Sequence, residues 1–181
     1  MDGMKNQKGY SLIELIVVIA ILAIVAFSGF SMLGLMSGKY AKECAEKMES
    51  AMSQSKVNAL GKSKGASEYD VYVRIYADTD GNIFIDSVVG TQMQTSKIGN
   101  SKVEVSAVKG ALGTDTADTT VLLSSLGTDG VVIAFNRSDG SFNPVQGETD
   151  VYWKRILFKQ GSITYQIEMV ARTGKFSLVK L

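Results

Sequence analysis

Lys8-Gly9-Tyr10-Ser11-Leu12-Ile13-Glu14, running without interruption into the apolar stretch Leu15 to Phe27, is the segment on which the reading of this chain turns. From Leu15 to Gly38 no side chain is charged, and these 24 residues built as a helix extend roughly 36 Å, slightly more than the hydrocarbon thickness of a bilayer. Such a segment can span a membrane. An ordinary secretory signal puts its apolar stretch before the cleavage site and closes it with small residues of the Ala-x-Ala kind. Here a short polar leader ends in glycine and the apolar stretch follows, so the helix is expected to stay with the mature protein. An ionised Glu14 at the start of that helix costs about 2.5–3.5 kcal/mol if carried to the bilayer centre. A carboxylate kept there calls for a cationic partner, and cutting after Gly9 would supply one, the new amine of Tyr10.

Lys-Gly, an aromatic residue, a few small or apolar residues, then Glu and a long apolar run resemble the class III leader of type IV pilins and type II secretion pseudopilins. The resemblance covers residues 8 to 27. It implies that a prepilin peptidase cuts between Gly9 and Tyr10 and methylates the Tyr10 amine. It also implies that Glu14 pairs with the amine of a neighbouring subunit as the helix leaves the membrane for a filament. The partners implied are other pilin subunits, the peptidase, an assembly platform protein with its ATPase, and the membrane. The implied location is single-pass in the cytoplasmic (inner) membrane with the N-terminus inside, then an extracellular or periplasmic filament. Two departures stand out: Tyr10 replaces the usual first phenylalanine, and the usual proline about twenty residues further on is missing, Pro144 being the only proline.

The chain holds 19 Lys+Arg and 18 Asp+Glu, and removing Lys5, Lys8 and Asp2 with the leader leaves 17 of each, so no global charge draws it toward nucleic acid. Charge is uneven along the sequence. Residues 151–181 hold Lys154, Arg155, Lys159, Arg172, Lys175 and Lys180 against Glu168 alone. With no histidine and Cys44 as the single cysteine, His-based triads, Cys/His zinc sites and an intramolecular disulfide are excluded. No nucleophile and base constellation appears, so no enzyme and no cofactor is expected.

Past Lys39 the period changes. Ala41, Cys44, Ala45, Met48, Ala51, Met52, Ser55, Ala59 and Leu60 recur at three- and four-residue steps, with charged residues on the other face. This predicts an amphipathic helix, continuous with the anchor and ending near Gly61 to Gly65. Beyond Glu68 the alternation has period two: Val71 to Tyr76, a turn at Asp78-Thr-Asp-Gly81, and Asn82 to Val89 predict a hairpin. A strand over 102–107, a loop over Gly110 to Thr119, a strand over Val131 to Phe135, and a meander of Tyr152–Lys159, Ile163–Ala171 and Lys175–Lys180 follow. The predicted class is α+β, a long N-terminal helix packed on an antiparallel sheet. The organisation is leader 1–9, transmembrane or filament-core helix 10–38, amphipathic half 39–62 and sheet domain 63–181.

A second, weaker resemblance follows the chain in order: Ser55-Lys-Val-Asn-Ala59, Ile133-Ala-Phe-Asn-Arg-Ser-Asp-Gly140, Thr164-Tyr-Gln-Ile167 and Thr173-Gly174-Lys175. It is similar to H-type minor pseudopilins and FimT-like minor pilins, and implies a minor subunit. Three local features carry further expectations. Asp78, Asp80 and Asn82 offer oxygen ligands like the start of a calcium loop, but they lack its remaining spacing and terminal Glu, and Asp-Gly is also a favoured hairpin turn. Gly29, Gly34 and Gly38 predict that residues 29–38 soften or unwind in a filament, since glycine costs about 1 kcal/mol inside a helix. Lys154, Arg155, Lys159, Arg172 and Lys175 interleave with Tyr152, Trp153 and Phe158, a pattern that can hold DNA or cover a solvated sheet face. The role expected is a structural subunit of a type IV pilus-like filament. The alternatives are a DNA- or surface-binding minor pilin of a competence or adhesion apparatus, or a pseudopilin of a type II secretion system.

Overall fold

The small residues and methionines spaced three and four apart after Lys39 bury one face of a helix, and two sheets close around it. The computed structural model describes residues 12–35, 38–61, 70–113 and 118–181, with the side chains of the first segment described as far as Val25. Two units follow, residues 1–36 and 37–181. The first contains α1, Leu12–Leu35; the second begins with α2, Lys39–Gly61. Ala41, Cys44, Ala45, Met48, Met52, Ser55 and Ala59 form the buried face of α2, as the spacing predicts, whereas Leu60 stays exposed.

The helix expected to run unbroken past Lys39 is interrupted. Gly38 has φ +81°, outside helical space, and its carbonyl accepts the first α2 bond from Lys42 N at 2.9 Å. A side chain at Gly38 would collide with Ile163, so only glycine allows the chain to pass there. The amides of Tyr40 and Ala41, which a continuous helix would direct to preceding carbonyls, instead donate to Gln160 Oε1 at 3.0 and 3.3 Å. Gln160 thus does for α2 what an N-cap side chain does locally. Gly29 to Leu35 are helical, and the softening predicted for 29–38 within a filament concerns residues 36 and 37 as well, which lie outside the described residues.

The strands are β1 Val71–Ala77, β2 Ile83–Val89, β3 Gln92–Gly99, β4 Glu104–Ala111, β5 Thr119–Leu122, β6 Val131–Ala134, β7 Val151–Gln160, β8 Ile163–Val170 and β9 Lys175–Lys180. They form two antiparallel sheets, β3-β2-β1-β6 and β5-β4-β7-β8-β9, where a single sheet was expected. α2 touches strands of both. Trp153 of β7 ties the sheets together by donating Nε1–H to Val132 O of β6 at 3.0 Å. The predicted hairpin and the C-terminal meander appear in register, Val73 opposite Ser87 and Phe158 opposite Tyr165. Two strands were not predicted. β3 continues from β2 across a Gly90-Thr91 turn, and β5 takes Thr119 from the expected loop, while Gly110 and Ala111 complete β4.

Core packing is close where the residues are small. Cys44 Sγ lies against the backbone of Gly99 so tightly that a Cβ there has no room, and its thiol donates to Ile98 O at 3.3 Å. Burial, the largest influence, pushes the Cys44 thiol up to about 12. Among the larger side chains Met48, Met52, Phe135, Ile156 and Phe158 are fully buried.

Candidate functional site

α1 is apolar around its whole circumference. From Leu12 to Val25 every large apolar side chain is between 50% and 78% exposed, including residues on opposite faces such as Leu15, Val17 and Ile19. A helix of that kind needs lipid or other helices around it. Glu14 stands in its first turn, where the positive end of the helix dipole favours a carboxylate. Among the described residues no helix is long and apolar enough to cross a membrane; in α1, side chains are described only to Val25. Gly9 and Tyr10 lie outside the described residues.

The five cations singled out in the C-terminal meander do not form one basic surface. β7 carries a bulge opposite Val108 and Lys109, which inserts Lys154 and turns both Lys154 and Arg155 away from the core between Trp153 and Ile156. Both reach Asp118, just before β5: Lys154 Nζ donates to Oδ1 at 2.6 Å and Arg155 Nη2 to Oδ2 at 3.3 Å. Lys159 sits opposite Glu104, and Arg155 opposite Glu168, so acidic neighbours from other strands interleave with the cations. Arg172 and Lys175 are exposed at the turn between β8 and β9, and Glu168 lies between Lys175 and the Lys154–Arg155 pair, bordering the depressions beside both. There Lys56 of α2 donates Nζ to Gly174 O at 2.8 Å and stands 5.9 Å from the Phe135 ring centroid.

Asp78, Asp80 and Asn82 form the β1–β2 turn. Asp78 accepts from Asp80 N at 3.0 Å, from Asn82 N at 2.7 Å and from Asn82 Nδ2 at 2.9 Å. The Asn82 side-chain bond, the largest influence, and these backbone bonds hold the half-buried Asp78 carboxyl below its usual range. Its oxygens are therefore engaged by the turn itself. Among the described residues no group of three or more Cys, Asp or Glu side chains is placed to hold a metal ion.

Residues 4–30 match the family model of the prokaryotic N-terminal methylation motif. The chain carries a class III prepilin leader. The leader is consistent with a type IV pilin or pseudopilin, and its match takes in Gly9, Tyr10, Glu14 and most of α1. No curated protein and no solved structure matches the chain. Behind the leader, a helix packed on antiparallel sheets agrees with a pilin fold.

Three of the four pieces of the weaker resemblance, Ser55–Ala59, Ile133–Gly140 and Thr173–Lys175, meet in space. Lys56, Gly140 and Gly174 touch one another, and the adjacent Phe135, Phe142 and Phe176 rings cluster with centroids 4.7–6.3 Å apart. Sequence reasoning missed Asp118 and Gln160. Each acts on residues distant in the chain, and neither has a local pattern that marks it.

Proposed function

We propose that this chain is a minor pilin or pseudopilin whose work is assembly rather than catalysis. In this reading the prepilin is held by α1 as a single-pass protein of the cytoplasmic membrane, N-terminus inside. A prepilin peptidase removes residues 1–9 and methylates the Tyr10 amine. A platform protein and its ATPase then draw the subunit into an extracellular or periplasmic filament. The leader match, continuing into a helix apolar on every side with Glu14 in its first turn, carries the reading. Apolar surface that moves from lipid to neighbouring helices gains little by the move itself. Stagger between subunits then depends on shape and on neutralising Glu14 with the Tyr10 amine of the next subunit. Glu14→Ala should insert into the membrane normally and fail to enter filaments; incorporation at the parent level refutes this. Intact mass of the cellular protein should show loss of residues 1–9 and gain of one methyl group.

A second reading, a DNA- or surface-binding minor pilin, draws on the cations at the β8–β9 turn. Lys56 and Lys175 line one groove there, with Arg172 in the same turn. Retention of DNA by the full chain that falls steeply with salt supports it. Retention no stronger than by a neutral control protein removes it.

A further inference from the structure

The outer face of the β3-β2-β1-β6 sheet carries a carboxylate that is almost fully enclosed. Asp86 of β2 is 1% exposed although it points away from α2, on the same face as Arg74 opposite it. Arg74 donates Nε and Nη2 to Asp86 Oδ2 at 3.0 and 2.5 Å, and Thr95 of β3 donates its hydroxyl to Oδ1 at 2.6 Å. The guanidinium also lies over the Tyr76 ring, 5.1 Å from its centroid, and that ring stacks on Phe84 at 5.7 Å. Arg74 is thereby held in one orientation while 31% of its side chain remains exposed. The side-chain hydrogen bond to Asp86, the largest influence, holds it firmly protonated. Fixing a long, flexible side chain in this way removes the entropy cost of ordering it around a ligand.

Arg74 borders a depression of about 470 Å³ that is also lined by Tyr72, Asp129, Val132 and Gln146. That volume falls within the roughly 300–1,000 Å³ of small-molecule sites. Its chemistry is specific. The Arg74 charge is already cancelled by Asp86, and Asp129 adds a negative group, so a phosphate or carboxylate gains nothing by entering. What remains is a guanidinium N–H edge, an amide that both donates and accepts, a carboxylate acceptor, and an aromatic side chain beside them. Hydroxyl groups that donate and accept on one edge of a ring, with C–H bonds on its flat face, satisfy all four together. We propose that this depression binds a neutral sugar ring of a glycan, an activity separate from filament assembly and independent of cleavage after Gly9.

The test uses the full chain in dimethylamine-oxide micelles, whose head groups carry no sugar, and saturation-transfer NMR with cellobiose, chitobiose, lactose and maltotriose. At least one of these should show transfer. Asp129→Asn and Gln146→Ala should each weaken that binding by about tenfold, the effect of losing one good hydrogen bond, without lowering the unfolding temperature. Lys159→Ala, on the other sheet, should leave it unchanged. The proposal is overturned if none of the four sugars shows transfer, if the two variants bind like the parent, or if a short oligonucleotide displaces the sugar.

Discussion

Replacing Gly174 by alanine separates backbone strain from packing. Gly174 has φ +58°, and Gly161 has φ +60° at the β7–β8 turn, so alanine pays nearly the same conformational cost at either position. That cost is roughly 1–2 kcal/mol for an L-residue in the left-handed region. Around Gly161 an added Cβ meets nothing within 4 Å. At Gly174 it would overlap the Gly140 carbonyl oxygen and lie 3.1 Å from Lys56 Nζ. A backbone carbonyl cannot rotate aside as a side chain can, so the turn must shift, at roughly 1–3 kcal/mol for overpacking. Gly174→Ala should therefore cost about 2–5 kcal/mol in total. At roughly 2–4 °C per kcal/mol for a unit near this size, Gly161→Ala should lower the unfolding temperature by about 2–8 °C and Gly174→Ala by about 4–20 °C. Thermal unfolding of the two variants followed by circular dichroism, in the same detergent, reads the difference directly. Equal shifts would mean that the contact of Lys56, Gly140 and Gly174 contributes nothing, and the packing argument would fail.

Three further outcomes follow from individual contacts. Gln160→Ala should cost about 1 kcal/mol, as for loss of an N-cap, and accelerate amide exchange at Tyr40 and Ala41 but not at Met48; unchanged exchange at the first two would show that Gln160 does not cap α2. Cys44 should resist iodoacetamide at pH 8 in the folded protein and react once unfolded. Because burial raises its thiol from 9.0 to about 12, the folded state holds the proton more tightly, so this stabilisation is complete below pH 9 and is lost between pH 9 and 12. Cys44→Ala should flatten that alkaline decline, and a decline of undiminished steepness would assign it to other groups. Asp118→Ala removes the acceptor shared by Lys154 and Arg155 and should destabilise by about 1–3 kcal/mol, discounted toward the lower end because Arg155 is 42% exposed. The same variant should increase retention on DNA at low salt, whereas unchanged retention would show that Asp118 does not mask the two cations.

What could be read along the chain is what acts locally. A leader peptide is recognised as a continuous stretch, and the helix and hairpin periods repeat within a few residues, so Gly9 to Glu14, the buried face of α2 and the last three strands are all visible in sequence. β3 was hidden because Gln92 to Lys97 are exposed and carry no apolar alternation. The bulge at Lys154 was hidden in a different way, since it leaves buried residues at Trp153, Ile156 and Phe158, spaced by three and then two. That interval breaks the period expected of an ordinary strand, and with hindsight marks the extra residue. Charge was the least legible property. Lys154 and Arg155 form a basic cluster along the sequence, yet Asp118, 36 and 37 residues earlier, lies between them in the fold. A count over a C-terminal window cannot register a carboxylate delivered by a neighbouring strand. The weaker resemblance shows the opposite case. Three of its four fragments, Ser55–Ala59, Ile133–Gly140 and Thr173–Lys175, are far apart in the chain, and they supply Lys56, Phe135, Gly140 and Gly174 to one contact; the fourth, Thr164–Ile167, takes no part in it. Lys56 joins α2 to the turn through the Gly174 carbonyl, so disruption at Gly174 should loosen α2 from the β8–β9 hairpin.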